Sequence, residues 1–171
     1  MSGSGGLEIE RTFLLRGMPL FPAPVELVEI EQGYLPGGGL IEGRLRRSRD
    51  ADGREMHFHT VKSGLGLVRQ ETEKRIDPVL FDQQWPRTCG RRLRKTRHRI
   101  KVDGLTWEVD RFHDLPDIEG RPLIMAEVEI PESIDPAGIP IPRWIAEQVV
   151  REVTEEPRFR NYALAIASAT I

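Results

Sequence analysis

Residues 91–112 read RRLRKTRHRIKVDGLTWEVDRF, and this stretch decides the fold class. Asp103-Gly104 is a two-residue hairpin signal between two alternating arms, residues 91–102 and 105–112. Side chains two apart on a strand share a face. Lys95 and Arg97 therefore share one face of the first arm, and Glu108 and Asp110 one face of the second, with Trp107 and Val109 on the opposite face. The charged residues do not mark a face that can pack as hydrocarbon.

The same spacing recurs along the chain in Glu8/Glu10, Arg44/Arg46, Glu71/Glu73 and Glu127/Glu129, with Lys62 alone in a further segment. Apolar residues such as Ile9, Leu45, Val61, Val128 and Ile130 stand between or beside them. That is the inverse of an ordinary soluble sheet unless the charged faces look into a shared wet cavity. A barrel with a charged lumen satisfies the pattern. The charges also segregate, acidic on the first and late strands and basic around residues 44, 62 and 95. Carboxylates beside a cluster of cations suit a divalent ion bridging a polyanion, and oxygen-only ligands favour Mg²⁺ or Mn²⁺ over zinc.

A chain of 171 residues is long enough for one domain that buries roughly two thirds of its unfolded surface. Lys plus Arg number 25 and Asp plus Glu 27, a net charge of -2, so no global basic field points to nucleic acid. The run from Arg87 to Lys101 is locally basic but alternates as a strand. Cys89 is the single cysteine, which excludes an intrachain disulfide and fits a reducing, cytoplasmic setting. No apolar run approaches the ~20 residues of a membrane span. Residues 1–6 (MSGSGG) read as a flexible leader ahead of a single domain, 7–171. A homodimer is the default for a protein that self-associates, with no interface identifiable.

Outward from the hairpin, strands are expected over residues 7–15, 28–35, 41–48, 56–62, 69–76 and 123–130, broken by Pro and Gly punctuation such as PGGG at 36–39. Asp77-Pro78 opens a short helix to Trp85. The apolar period of Trp144, Ile145, Gln148 and Val149 predicts a helix over 142–153, and residues 157–169 a second. The expected class is α+β, mainly β: an antiparallel barrel of about eight strands with flanking and C-terminal helices. A barrel of that size holds one small ligand.

A single charged pair is better explained as the solvated face of a sheet; only the ordered set argues for a lumen. His57 and His59 fall opposite Lys62 in parity and are expected outside, in solvent. The three tryptophans read as packing residues. Tyr34 reads equally as core or as a hydroxyl near the tunnel mouth.

The ordered series resembles the CYTH superfamily, the triphosphate tunnel metalloenzymes, over nearly the whole chain. It consists of Glu8-Ile9-Glu10-Arg11-Thr12, QGYL at 32–35, RLR at 44–46, VKSG at 61–64, RQExE at 69–73, GRRxxKTR at 90–97, Glu108-Val109-Asp110, Glu127-Val128-Glu129 and EVTEEPRFRNYALA at 152–165. The resemblance implies a triphosphate bound with divalent metal, Mg²⁺ or Mn²⁺, inside the barrel. It implies Glu8, Glu10, Glu108, Asp110, Glu127 and Glu129 as metal ligands, with Glu10, Glu127 and Glu129 closest to catalysis. Arg44, Arg46, Lys62, Lys95 and Arg97 match phosphate-binding positions, with Arg158 or Arg160 adding a contact. Glu71, Glu73, Arg75 and Tyr34 complete the expected lumen. The implied activity is metal-dependent hydrolysis of inorganic tripolyphosphate or an organic triphosphate. Thiamine triphosphatase, nucleoside triphosphatase or adenylate cyclase activity, and a noncatalytic polyphosphate-binding module, are the alternatives. One position departs from the family: Thr12 stands where the first-strand motif has lysine, and Arg11 has the wrong parity to replace it. The missing cation implies weaker substrate binding, a relaxed or shifted metal arrangement, or an offset by another lumen base such as Arg75 or Arg69.

Overall fold

The computed structural model describes residues 4–37, 41–64 and 67–168, with the backbone alone for residues 4–6, 8 and 41. Its strands are β1 (Ser4–Leu15), β2 (Glu26–Tyr34), β3 (Ile41–Asp50), β4 (Glu55–Ser63), β5 (Val68–Arg75), β6 (Arg92–Val102), β7 (Leu105–His113), β8 (Ile124–Glu129) and β9 (Val149–Glu152). The helices are α1 (Pro78–Gln84), α2 (Arg143–Ala146) and α3 (Asn161–Ala167). All neighbouring strands are antiparallel, in the order β5-β4-β3-β2-β6-β7-β8-β1, and β1 returns to pair with β5, closing an eight-stranded barrel.

The hairpin at 103–104 forms as its sequence requires. Asp103 and Gly104 have φ of 52° and 78°, the paired positive values of a turn whose twist matches its strands. Val102 faces Leu105, and the register carries Arg97 to Asp110 and Arg99 to Glu108. At Gly33 a Cβ would come within 2.6 Å of the Thr88 side chain, so the missing side chain lets the short helical turn at Trp85–Thr88 sit on β2.

Two apolar clusters explain the inverted pattern. Outside the barrel, Phe13, Leu15, Trp107, Val109, Ala126 and Val128 are buried together with Ile130, Ile139 and Ile145. The segment after β8 thus covers the apolar outer wall, and the charged wall is left to face inward. Inside, Leu14, Leu93, Phe112 and Met125 pack with Tyr34, Phe159, Leu164 and Ala165. Leu93, Phe112 and Met125 share strand parity with Lys95, Asp110 and Glu127 two positions away, and Leu14 with Thr12, so the inner faces turn apolar where α3 packs. Burial of each Leu, Ile, Val, Met or Phe among them stabilises by about 1.5–3 kcal/mol.

Several expectations need correction. The helix expected over 142–153 is four residues long, Arg143–Ala146, and Val149–Glu152 is a strand that pairs with Phe13–Leu15 of β1. β1 begins at Ser4, inside the stretch read as a leader, with Ser4 opposite Glu73. His57 is not solvated: it is 5% exposed, packs on Phe81 of α1 and has Nε2 3.1 Å from Glu55 Oε1. The last helix ends at Ala167, and the expected terminus at residue 169 lies outside the described residues.

Candidate functional site

Strand parity turns most of the charged pairs toward one cavity of about 280 Å³. Among the described residues seven bases and eight carboxylates line it. The acidic wall comes from three adjacent strands, β1, β8 and β7. Glu10 stands opposite Glu129, Thr12 opposite Glu127, and Glu127 opposite Glu108. The basic side comes from β3 and β4, with Arg44, Arg46 and Lys62, and the start of β5 adds Arg69.

Most of the bases are held by carboxylates. Arg46 donates to both oxygens of Glu73 at 3.0 Å, and Arg44 approaches the same carboxylate at 3.4 Å. The Thr60 hydroxyl donates to Glu73 at 2.8 Å. Lys62 lies 2.7 Å from Glu71, and Arg69 2.8 Å from Glu42. Such pairs fix the cations in place before any ligand arrives. Burial, and then repulsion from Arg44, pulls Arg46 down to about 10, so its charge is one that an incoming anion would stabilise.

Beneath the acidic wall lies a closed network. Lys95 Nζ donates to Asp110 Oδ2 at 2.6 Å, and Arg97 grips both oxygens of Asp110 at 2.7 Å while reaching Glu127 at 3.0 Å and Glu108. Burial alone would raise Asp110, but Arg97 and Lys95 hold it well below the usual carboxylate range. Burial, then Arg97, lowers Lys95. Burial likewise opposes the charge of Arg97, and Asp110 and Glu108 outweigh it, leaving the guanidinium well above its ordinary value.

An inorganic triphosphatase of Nitrosomonas europaea is 42% identical over 163 residues, covering 94% of this chain and 97% of its own. The chain belongs to the CYTH superfamily. An inorganic triphosphatase of Acetivibrio thermocellus is 32% identical over 158 residues, 91% of each chain. The solved structure of the inorganic triphosphatase NE1496 superposes with a TM-score of 0.60 at 37% identity, covering 92% of this chain and 97% of its own. A Pyrococcus horikoshii protein, PH1012, shares the fold at 19% identity and a TM-score of 0.54, covering 74% of this chain and 80% of its own. No family model matches the sequence.

Within this CYTH barrel the expected residues separate into three groups. Glu10, Glu71, Glu73, Glu108, Glu127, Glu129, Arg44, Arg46, Lys62, Arg97, Arg160 and Tyr34 line the cavity. Lys95 and Asp110 lie behind it, 2% and 0% exposed, each occupied by the other. Arg75 and Arg158 are exposed and outside the lining, and Arg158 is paired with Glu119 and Glu156. Glu8 follows the parity of Glu10 and stands opposite Arg69, but its side chain lies outside the described residues. Tyr34 meets both of its readings: it is 3% exposed, borders the cavity and accepts from Gln32 Nε2 at 3.1 Å. Burial raises its phenol, against weaker opposition from Arg44.

The cavity also includes Glu42, Arg99, Thr106, Thr154 and Asn161, which sequence reasoning did not single out. Parity carried two residues further finds Glu42 from Arg44 and Arg99 from Arg97. Asn161 opens α3, and no strand period reaches it.

Proposed function

We propose that this protein hydrolyses inorganic triphosphate at its terminal phosphoryl group, with a divalent cation, inside the barrel. The observation that carries the reading is one small cavity in which a carboxylate wall faces a wall of preset arginine and lysine. Kinship with inorganic triphosphatases supports it.

The charge count argues for metal. A lining with eight carboxylates against seven bases cannot neutralise a polyphosphate by itself. Among the described residues no group of three acidic or histidine side chains is close enough to cage an ion. The residues nonetheless fit Mg²⁺ or Mn²⁺, which bind through one or two carboxylates and complete their shells with substrate phosphate oxygens and water. Glu10 and Glu129, opposite one another, and Glu127 beside them would hold it. When bound, the ion supplies charge stabilisation to the phosphoryl oxygens and lowers the pKa of a ligated water.

The chain's own residues position the substrate. Arg44, Arg46 and Lys62 exchange Glu73 and Glu71 for phosphate oxygens, and Arg160 closes from the C-terminal side. These donors are fixed before substrate enters, so little reorganisation opposes charge build-up in the transition state. The volume of about 280 Å³ sits at the lower edge of the ~300–1,000 Å³ typical of sites for drug-sized ligands. That favours a bare triphosphate over a nucleotide or thiamine ester. The single cysteine, exposed Cys89, supports a reducing cytoplasmic setting, and among the described residues no helix is long and apolar enough to cross a membrane.

The test is phosphate release from tripolyphosphate with Mg²⁺, Mn²⁺ or EDTA, with ATP and thiamine triphosphate in parallel. Metal-dependent release preferring tripolyphosphate is expected. Triphosphate binding without turnover on any substrate would replace the hydrolase with a binding module.

A further inference from the structure

One edge of β1 serves two strands in succession. The first half pairs with β5, and Glu10 N donates to Leu67 O at 3.3 Å. Further along, Val153 N donates to Thr12 O at 2.8 Å and β9 takes over from Phe13. Between these partners lies the amide of Thr12. Its hydrogen bond goes to a side chain, the Thr154 hydroxyl, at 3.0 Å.

That hydroxyl is itself held. It donates to Glu152 Oε1 at 2.8 Å, and Arg11 grips both oxygens of Glu152 at 3.0 and 2.7 Å. The remaining Arg11 nitrogen donates to the carbonyls of Pro136 and Ile139 at 3.2 and 3.0 Å. A chain of hydrogen bonds thus runs from the segment covering the outer wall, through Arg11, Glu152 and Thr154, to the backbone of Thr12. Thr12 and Thr154 both line the cavity, and Glu10 lies two residues before Thr12 on the same face. The polypeptide that continues from Thr154 brings Glu156, Arg160 and Asn161 to the same cavity.

We propose that Thr154 is a positioning residue: its hydroxyl closes the seam between β5 and β9 and so fixes the Glu10 wall relative to the segment bearing Arg160 and Asn161. The effect on turnover rests on the triphosphatase reading; the effect on the seam does not. A part-buried side-chain acceptor at this strand junction takes the place of a backbone partner, so its loss opens the junction locally rather than the whole barrel. Misplacing a wall that supports reacting groups lowers kcat more than it raises KM.

The experiment compares Thr154→Val, nearly isosteric but without the hydroxyl, with Thr154→Ser, which keeps it. Residue-resolved amide exchange is read without metal or substrate, and kcat and KM for tripolyphosphate are read with Mn²⁺. In Thr154→Val the Thr12 amide exchanges about tenfold faster while the β6–β7 hairpin keeps its protection, and kcat falls about tenfold with a smaller change in KM. Thr154→Ser stays near the wild type in both. An unchanged Thr12 amide in the valine variant, or a serine variant as impaired as the valine, overturns the proposal. Should the valine variant not fold, Glu152→Gln takes its place, and a wild-type exchange rate at Thr12 overturns the proposal there too. A wild-type chain without turnover defeats the hydrolase reading and leaves the exchange test standing.

Discussion

The ammonium of Lys95 and the carboxylate of Asp110 meet at 2.6 Å with both side chains closed to solvent, and Arg97 grips the same carboxylate from the other side. One carboxylate therefore bridges two buried cations. Removing it leaves Lys95 without its ion pair and Arg97 with Glu108 and Glu127 alone, whereas removing Lys95 leaves Asp110 still bound to Arg97. Asp110→Asn is expected to cost about 3–5 kcal/mol and Lys95→Met clearly less. Urea unfolding with linear extrapolation checks the order; a costlier Lys95→Met would mean that Arg97 does not hold Asp110 by itself.

The same network sets the response to acid. Burial would raise both Asp110 and Glu108, yet Arg97, with Lys95 for Asp110, outweighs it and lowers both. A carboxylate whose folded pKa lies below its unfolded value adds stability that is fully present above the unfolded value. That stability is lost as pH falls through the folded one. The thermal midpoint should be insensitive to these groups above about pH 5 and fall below about pH 4. The Asp110→Asn variant, less stable throughout, should show a shallower acid slope. A wild-type midpoint that holds steady well into acid would contradict this account.

Glu129 separates catalysis from stability. It lines the cavity opposite Glu10 and, among the described residues, makes no ion pair. Glu129→Gln should change the unfolding free energy by no more than about 0.5 kcal/mol, because no partner is stranded. If the carboxylate holds the metal, kcat/KM for tripolyphosphate should fall by about a hundredfold or more, and EDTA should abolish wild-type turnover. A variant with intact activity would move the metal toward Glu127 and Glu10 alone.

Two arginines expected to bind phosphate are distinguished by position. Arg46 lies in the cavity against Glu73, and Arg158 lies outside it, 60% exposed and engaged with Glu119 and Glu156. A charge-assisted hydrogen bond is worth about 1.5–3 kcal/mol, so Arg46→Met should raise KM by about 10–100-fold. Arg158→Ala should leave KM where it is. Steady-state kinetics on both variants, with the thermal midpoint as a folding control, tests the assignment. A raised KM in Arg158→Ala would require the C-terminal segment to swing inward.

The inner wall was legible because a strand has a period of two. Once Lys95/Arg97 and Glu108/Asp110 were read as one face, the remaining pairs fell onto the same lumen. Depth along the barrel is not encoded in that period, which is why Lys95 and Arg97 read alike although one is sealed behind the cavity and the other lines it. β9 was misread because Trp144, Ile145, Gln148 and Val149 satisfy a helical spacing. The pairing of Phe13 with Glu152 that makes the segment a strand spans most of the chain. His57 looked solvated for the same reason, since only the docking of α1 places Phe81 over its ring.

Thr12 offers the sharpest test of the acidic wall. It faces the cavity opposite Glu127, one step along the ladder from the Glu10–Glu129 pair, while Arg11 points outward to Glu152. Thr12→Lys would place an ammonium among those carboxylates, in a cavity of about 280 Å³ that leaves space for the longer side chain. Two opposite effects should follow. The added cation strengthens attraction for the polyanion, so KM for tripolyphosphate at saturating metal falls several-fold. The same ammonium competes for the carboxylate oxygens, so the Mn²⁺ concentration giving half-maximal rate rises. Initial rates over a matrix of tripolyphosphate and Mn²⁺ concentrations separate the two effects. A lower KM with an unchanged metal requirement would place the ammonium on the phosphates and the metal beyond the reach of position 12. A higher metal requirement with an unchanged KM would place the ammonium in the carboxylate cluster and away from the substrate.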